Sequence, residues 1–335
     1  VAATTRHPVV VVIVIDGARW QEVFEGVDPK LAKEKKLGAH EVVGPDELMP
    51  ELYRITTSRG AAIGAPAHGH TISASGPNFV SLPGYLEILT GLRNGVCVSN
   101  ECALAPERTL ADEFAGRSAG WATEVAVISS WPDLARAAAR YPERIVVSTG
   151  RTGGTTRHFL RYDGEAARLL DAGAKMAPYP GVVDFRPDRY TAAIALRYLR
   201  TQKPRFLFLS LGEVDAYAHK GLYREYLASL SHSDAVVGEV DYILDELRAQ
   251  GYPSTLIVTT DHGRSKHFNY HGIAAPESAR AWLVATGSGI RSRGWVSAPV
   301  ERRLADIAPT VRKLAGLELE QAEGGGSVLE ELVGR

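Results

Sequence analysis

The strongest constraint on this chain is the uninterrupted apolar run Val9 to Ile15, which follows Pro8 and stops at Asp16-Gly17. The run is far too short for the roughly 20 residues that cross a bilayer. It has no polar alternation, so it reads as a strand buried on both faces. Such a strand belongs to a mostly parallel sheet covered by helices, whose functional loops leave the C-terminal strand edge. Asp16 stands at that edge.

The rest of the chain repeats the pattern. Strands are expected at Ile55 to Ile63 (one strand or a pair), Trp121 to Ile128, Ile145 to Val147, Arg205 to Leu211, Tyr252 to Thr260 and Ala281 to Thr286. Between them lie helical segments at Thr109 to Phe114, Gly164 to Ala174, Asp188 to Arg200 and, longest of all, Tyr223 to Arg248. Asp306 to Leu314 and Leu317 onward read as terminal helical segments, and Asp28 to Arg54 as charged surface. Leu82, Tyr85, Leu86, Ile88 and Leu89 recur with helical rhythm, with Ser81 at an N-cap or first-turn position, Pro83 in the first turn and Gly91 closing the helix. Strands alternating with helices predict an α/β fold with a central, mostly parallel sheet. No repeat or linker divides the chain. It reads as one domain over 1–335, with 28–75 and 93–120 as peripheral excursions at the rim of a site.

Composition narrows the function classes. The 335 residues are 45% apolar and 23% charged, an ordinary globular balance. Lys plus Arg number 38 against 39 Asp plus Glu, a formal charge of -1. A dedicated nucleic-acid-binding domain would carry a basic excess. No apolar stretch is long enough for a transmembrane segment. Cys97 and Cys102 fit either a short-loop disulfide, as in exported proteins, or two free thiols, and are too few for a cysteine zinc site. The opening Val1-Ala2-Ala3-Thr4-Thr5 fits either the mature end of a trimmed export signal or an arbitrary chain start.

Three strand ends carry chemistry-bearing residues. Asp16 follows the first. Asp215 follows the Arg205 to Leu211 strand, with His219 four residues on. Asp261 and His262 follow the Tyr252 to Thr260 strand, with His271 nine residues later. Taken singly, each has a plain reading: Asp-Gly as a turn, Asp215 and His219 as a polar pair on one helical turn. Together they place six oxygen or nitrogen donors at one sheet edge. Clustered carboxylates and imidazoles must be paired, liganded or solvated, because burying them alone is costly. Two divalent metal ions would satisfy all six; mixed Asp/His donors suit zinc best, then manganese or iron. Ser81, at a helix start, lies in a field that stabilises anions and is a candidate nucleophile; alone it would be an ordinary capping serine.

With these residues in view, the chain resembles the alkaline phosphatase superfamily, and within it the type I phosphodiesterase and nucleotide pyrophosphatase branch. The carrying segments are Val11 to Gly17, Asn78 to Tyr85, Gly212 to His219 and Thr259 to Gly263, with Asp306-Ile307-Ala308-Pro309-Thr310 similar to the family's closing helix. The resemblance implies an alkaline-phosphatase-like fold with little or no cap domain. It implies one metal held by Asp215, His219 and His271, and another by Asp16, Asp261 and His262, with Ser81 bridging to phosphorus. It also implies an Asn after Thr90-Gly91-Leu92 that donates to a phosphate oxygen. Asn100 fits that position, and Asn94 is the alternative.

The resemblance has departures. The diesterase branch commonly uses Thr where this chain has Ser81, as monoesterases do. Tyr85 stands where sulfatases carry an Arg. Phosphomutases insert a large domain for which Arg93 to Lys203 leaves little room. The short interval from His262 to His271 suggests an open site, with Leu31 to Ala74 supplying part of its rim. Lys266, His267, Tyr270 and Arg93 read by default as solvated surface, with phosphate contact as the alternative. His68 and His70 are expected outside the ligand set.

The expected function is a two-metal phosphoester hydrolase of the diesterase type acting through a phosphoseryl intermediate. The alternatives are a phosphomonoesterase, a sulfatase or phosphonate hydrolase, and an inactive binding module. The expected partner is a small phosphorylated molecule such as a nucleotide or phosphodiester. The expected location is periplasmic or secreted, with the cytoplasm as the alternative.

Overall fold

The computed structural model describes residues 6–93, 97–103, 107–117, 124–152, 163–176, 184–319 and 323–334. β1 (Val9–Ile15) leads through α1 (Trp20–Glu25), α2 (Pro29–Glu34), α3 (Pro45–Leu48) and α4 (Pro50–Ser58) to β2 (Gly60–Ile63). β3 (Ile72–Ser73), α5 (Ser81–Thr90), α6 (Leu110–Gly116), β4 (Val125–Ser129), α7 (Ala135–Ala138) and β5 (Val146–Thr149) follow. Next come α8 (Gly164–Lys175), α9 (Asp188–Gln202), β6 (Phe206–Leu211), α10 (Glu213–His219), α11 (Tyr223–Ala249) and β7 (Ser254–Thr259). The chain closes with β8 (Arg280–Ala281), β9 (Leu283–Gly287), β10 (Gly294–Trp295), β11 (Arg302–Arg303) and α12 (Ile307–Ala315).

Eight strands form the main sheet in the order β10-β2-β9-β7-β1-β6-β4-β5. β1 pairs in parallel with both β6 and β7, so the first apolar run is the middle of the molecule. Only β9 runs antiparallel, against β7 and β2. A small sheet, β11-β3-β8, lies apart. The period of two along β1 divides its side chains between two cores. Val9, Val11, Ile13 and Ile15 pack on one face with residues of α4, α9 and α11; Val10, Val12 and Val14 pack on the other with residues of α5, α6 and α12. This layering brings the C-terminal ends of β1, β6 and β7 together, each at the foot of a loop or helix that carries candidate ligands.

Several local expectations are corrected. Ile55 to Ser58 is the end of helix α4, and only Gly60 onward is strand. The β-branched Ile55-Thr56-Thr57 suggested extension. Leu52, Ile55 and Thr56 instead bury one helical stripe, and Asp234 of α11 accepts the Glu51 and Leu52 amides at 2.8 Å each, completing the helix start. The 28–54 segment is not simply surface: Leu31, Ala32, Leu48, Met49 and Leu52 are buried in the core. The Ala281 to Thr286 strand is two strands separated at Trp282. Beyond Gly316, which ends α12 at φ +66, the described residues form turns, not a helix; Leu329, Leu332 and Val333 are buried. Asn94 and the start of the Trp121 strand lie outside the described residues. Cys97 and Cys102 form a disulfide. No described helix is long and apolar enough to cross a membrane.

Candidate metal centre and nucleophile

Each candidate ligand is placed by the end of a regular element. Asp16 leaves β1, Asp261 and His262 follow β7, and Asp215 and His219 lie one turn apart on α10, directly after β6. His271 comes from the loop before β8. The structure brings all six together. Donor atoms of Asp16, Asp261 and His262 lie within 4.8 Å of one another, as do those of Asp215, His262 and His271. His219 joins the second group: its Nε2 is 3.1 Å from Asp215 Oδ2 and 2.9 Å from His271 Nε2. His262 therefore sits within reach of both groups, rather than in one alone.

The protonation pattern suits cation binding. His262 Nδ1 lies 2.8 Å from the Gly263 carbonyl, and His271 Nδ1 lies 2.9 Å from the Phe79 carbonyl. A carbonyl only accepts, so each Nδ1 carries hydrogen and each Nε2 turns a lone pair inward. Burial keeps both rings neutral, pushing His262 down to about 4 and His271, with the help of neighbouring His262, to about 3. Yet His262 Nε2 faces Asp16 Oδ1 and Asp261 Oδ2, each at 3.5 Å. Asp261 Oδ2 is fully buried without a hydrogen-bond partner among the described residues. Burial, then the charge of Asp261, holds the Asp16 carboxyl well above the usual range. Burial, opposed by the Gly17 amide and reinforced by Asp215, lifts Asp261 to about 7. Converging acceptors, with Asp261 Oδ2 left unpaired among the described residues, are what divalent ions satisfy. The donor set thus fits two metal positions.

Ser81 is the first residue of α5, with Val80 as its N-cap. Its Oγ is 3.3 Å from both Asp16 Oδ1 and His262 Nε2. Tyr85, one turn on, donates to Asp16 Oδ2 at 2.8 Å and ties it to Ser210 at 2.7 Å. Asn100 accepts the Leu82 amide through Oδ1 at 2.9 Å. An amide N–H can only donate, so this bond fixes the flip of the side chain and leaves Asn100 Nδ2 without an acceptor among the described residues. Ser81, Asn100, Asp16, Asp215, His219 and His271 line one cavity of about 250 Å³.

Sequence reasoning missed four neighbours. Trp131 and Phe185 line the same cavity, as does Lys220, whose ammonium has no partner among the described residues. Arg264 is buried against Asp215. Lys220 and Arg264 adjoin recognised ligands in sequence, and that adjacency was the available signal; Trp131 and Phe185 had none. Lys266, His267, Tyr270, Arg93 and His70 are exposed and do not line the cavity, and His68 stacks on Trp295 at 5.5 Å.

No protein-family model matches the chain. It is similar to 2,3-bisphosphoglycerate-independent phosphoglycerate mutases. Identity is 25% over 176 residues with that of Methanosarcina acetivorans, covering 50% of this chain and 31% of the mutase. It is 27% over 172 residues with that of Herpetosiphon aurantiacus, covering 49% and 30%. The match thus spans less than a third of either mutase. Among solved structures, an alkaline phosphatase superposes with a TM-score of 0.57 at 10% identity, covering 99% of this chain and 100% of that one. The phosphonate monoester hydrolase of Silicibacter pomeroyi gives 0.57 at 16% identity, covering 96% and 76%. The lipoteichoic acid synthase of Listeria monocytogenes gives 0.59 at 11% identity, covering 98% and 77%. The fold therefore resembles that of the alkaline phosphatase superfamily broadly, and none of these matches singles out its diesterase branch. The fold is thus shared with these proteins, and the Asp/His clusters mark a candidate divalent-metal centre.

Proposed function

We propose that the chain is a phosphomonoester hydrolase that works through a phosphoseryl intermediate on Ser81. The observation that carries this reading is the placement of Ser81 Oγ, 3.3 Å from donors of the Asp/His centre, in a cavity that also holds Asn100. Asp16, Asp261 and His262 would hold one divalent ion, and Asp215, His219 and His271 the other. Such ions supply Lewis acidity that lowers the hydroxyl pKa and neutralises developing oxygen charge.

The chain's own groups do the rest. Ser81 Oγ attacks phosphorus in line with the leaving oxygen, and water releases the phosphate in a second displacement. The start of α5, at Ser81, presents the positive end of its helix dipole to the incoming anion. Asn100 Nδ2 donates to a nonbridging oxygen. Tyr85 keeps Asp16 in place while Ser81 moves.

Two features favour monoesters over the diesters expected from the motifs. A monoester brings an additional negative charge, and Lys220 supplies an unpaired cation to the cavity. Phosphoglycerate, which names the mutases similar to this chain, is a phosphate monoester. Hydrolysis is favoured over mutase chemistry by the interval between Ser81 and Asp215. Its described residues build α6, β4, β5, α8 and α9 against the core, leaving no inserted second domain among them. The Cys97–Cys102 disulfide supports an oxidising compartment outside the cytoplasm.

The test compares mono-aryl and bis-aryl phosphates with the same leaving group, using metal-loaded protein and its Ser81→Ala variant. The expected result is a higher kcat/KM for the monoester, loss of turnover by at least about a thousandfold in Ser81→Ala, and a phosphoryl group on the Ser81 peptide after acid quench. Faster diester turnover would return the reading to the diesterase branch. Undiminished turnover by Ser81→Ala would remove Ser81 as nucleophile.

A further inference from the structure

Arg264 is the one charged residue in this centre with no role in the reading above. It lies two residues after His262, and its side chain is fully buried. Nη1 donates to Asp215 Oδ1, and Nε donates to the Phe268 carbonyl at 2.5 Å. Nη2 is buried with no hydrogen-bond partner among the described residues. The fold holds this guanidinium in place from both sides. Phe268 adopts φ +73, unusual for a bulky residue, and its buried ring packs edge-on against Tyr223 and Tyr226, with centroids 5.0 and 4.8 Å away. Across the guanidinium, Gly17 at φ +62 lets the β1 loop come close. A Cβ there would lie 2.6 Å from Asp215 Oδ1 and 2.7 Å from Arg264 Nη1.

The two clusters therefore differ in charge. Asp16 and Asp261 bring two carboxylates to the first, and no Arg or Lys pairs with either among the described residues. The second has one carboxylate, Asp215, and Arg264 already neutralises it. A hard divalent cation such as manganese follows carboxylate charge more than imidazole softness. Buried charges are also little screened by salt.

We propose that Arg264 makes the two metal positions unequal. Manganese fills the Asp16, Asp261 and His262 cluster first, and the Asp215, His219 and His271 cluster holds a weaker, exchangeable ion. Occupancy of that weaker position then follows the ambient metal concentration while the first stays filled. The inference rests on the two-metal reading of the centre, but not on the identity of the phosphoester.

The test is a titration of metal-free full-length chain with manganese(II) alone, following free ion by electron paramagnetic resonance. Wild type should bind in two steps whose affinities differ at least tenfold, with the gap retained in high salt. Arg264→Met should tighten the second step at least tenfold, and Arg264→Lys, which keeps the charge, should leave it weak. Asp261→Asn should abolish the tight step, and Asp215→Asn should leave it intact; this pair decides the matter should Arg264→Met fail to fold. Two equal steps in wild type, weaker second binding in Arg264→Met, or loss of the tight step in Asp215→Asn would overturn the proposal. No manganese bound by wild type would overturn the metal-centre reading itself, a separate outcome.

Discussion

At the scale of single residues, the site depends on close approach as much as on donors. Gly84 lies in the first turn of α5, where an added Cβ would stand 2.4 Å from the Asp261 carbonyl. That is inside any real carbon–oxygen contact, so Gly84→Ala must push the start of α5 away from β7. Ser81 would move with it. A displacement of about 1 Å at a reacting atom costs on the order of a hundredfold in rate. Gly84→Ala should therefore lower kcat on an aryl phosphate by about that factor with secondary structure retained. Circular dichroism alongside kinetics measures both, and an unchanged kcat would show that Ser81 tolerates the shift. The seven metal and nucleophile candidates could be named from the sequence because carboxylates and imidazoles recur after three strands in an order that resembles a known family's, although each taken singly had a plain turn, pair or cap reading. Arg264 was not legible as a partner of Asp215. Nothing in the sequence separation of 49 between them shows that β6 and β7 flank β1 and so bring their ends together.

At the scale of elements, two helices are capped by carboxylates from other helices. Asp188, at the start of α9, accepts the Gly212 and Glu213 amides of α10 at 3.0 Å each. Glu213 returns the contact by accepting the Asp188 amide at 3.0 Å, and Ser130 donates to Asp188 at 2.5 Å. Since α10 carries Asp215 and His219, this exchange positions two of the six candidate ligands. Asp188→Ala leaves buried donors unpaired, costing about 1–3 kcal/mol for each. It should reduce denaturation stability and lower bound metal from two equivalents toward one. Full metal content would show that α10 holds its place without the cap.

Asp234 caps α4 in the same way, and burial lifts its carboxyl to about 6. The folded protein therefore holds this proton more tightly than the unfolded chain, so Asp234's contribution is favourable at low pH. It is lost as pH rises from about 4 to about 6, by about 3 kcal/mol. Asp234→Asn cannot titrate, so unfolding free energy measured across that window should lack this decline. An identical pH slope in both proteins would contradict the assignment. This cap also explains why Ile55 to Ser58 misled the sequence reading: its β-branched residues are helical because a residue far along the chain completes the helix start.

At the scale of the whole molecule, the parallel middle of the sheet gathers its polar strand ends at one edge while both faces of β1 build separate cores. Such an arrangement was legible because a fully apolar strand ending in Asp-Gly has few other places to sit. The irregular C-terminal segment was not, since its buried Leu329, Leu332 and Val333 follow no helical or strand period. Ligands from three strand ends tie metal binding to the folded state. A metal present at about a hundred times its dissociation constant adds about 2.7 kcal/mol. Chelation should therefore lower the melting temperature of wild type by several degrees, and change that of Asp261→Asn by less. Equal shifts would place the stabilising ion elsewhere.

The central claim is that the six Asp and His side chains form a metal centre at Ser81. Elemental analysis of gently purified protein, for zinc, manganese, iron and calcium, tests it most directly. The account predicts close to two equivalents of a divalent transition metal in wild type and a marked loss in Asp261→Asn. No stoichiometric transition metal in wild type, or equal content in the variant, would contradict it.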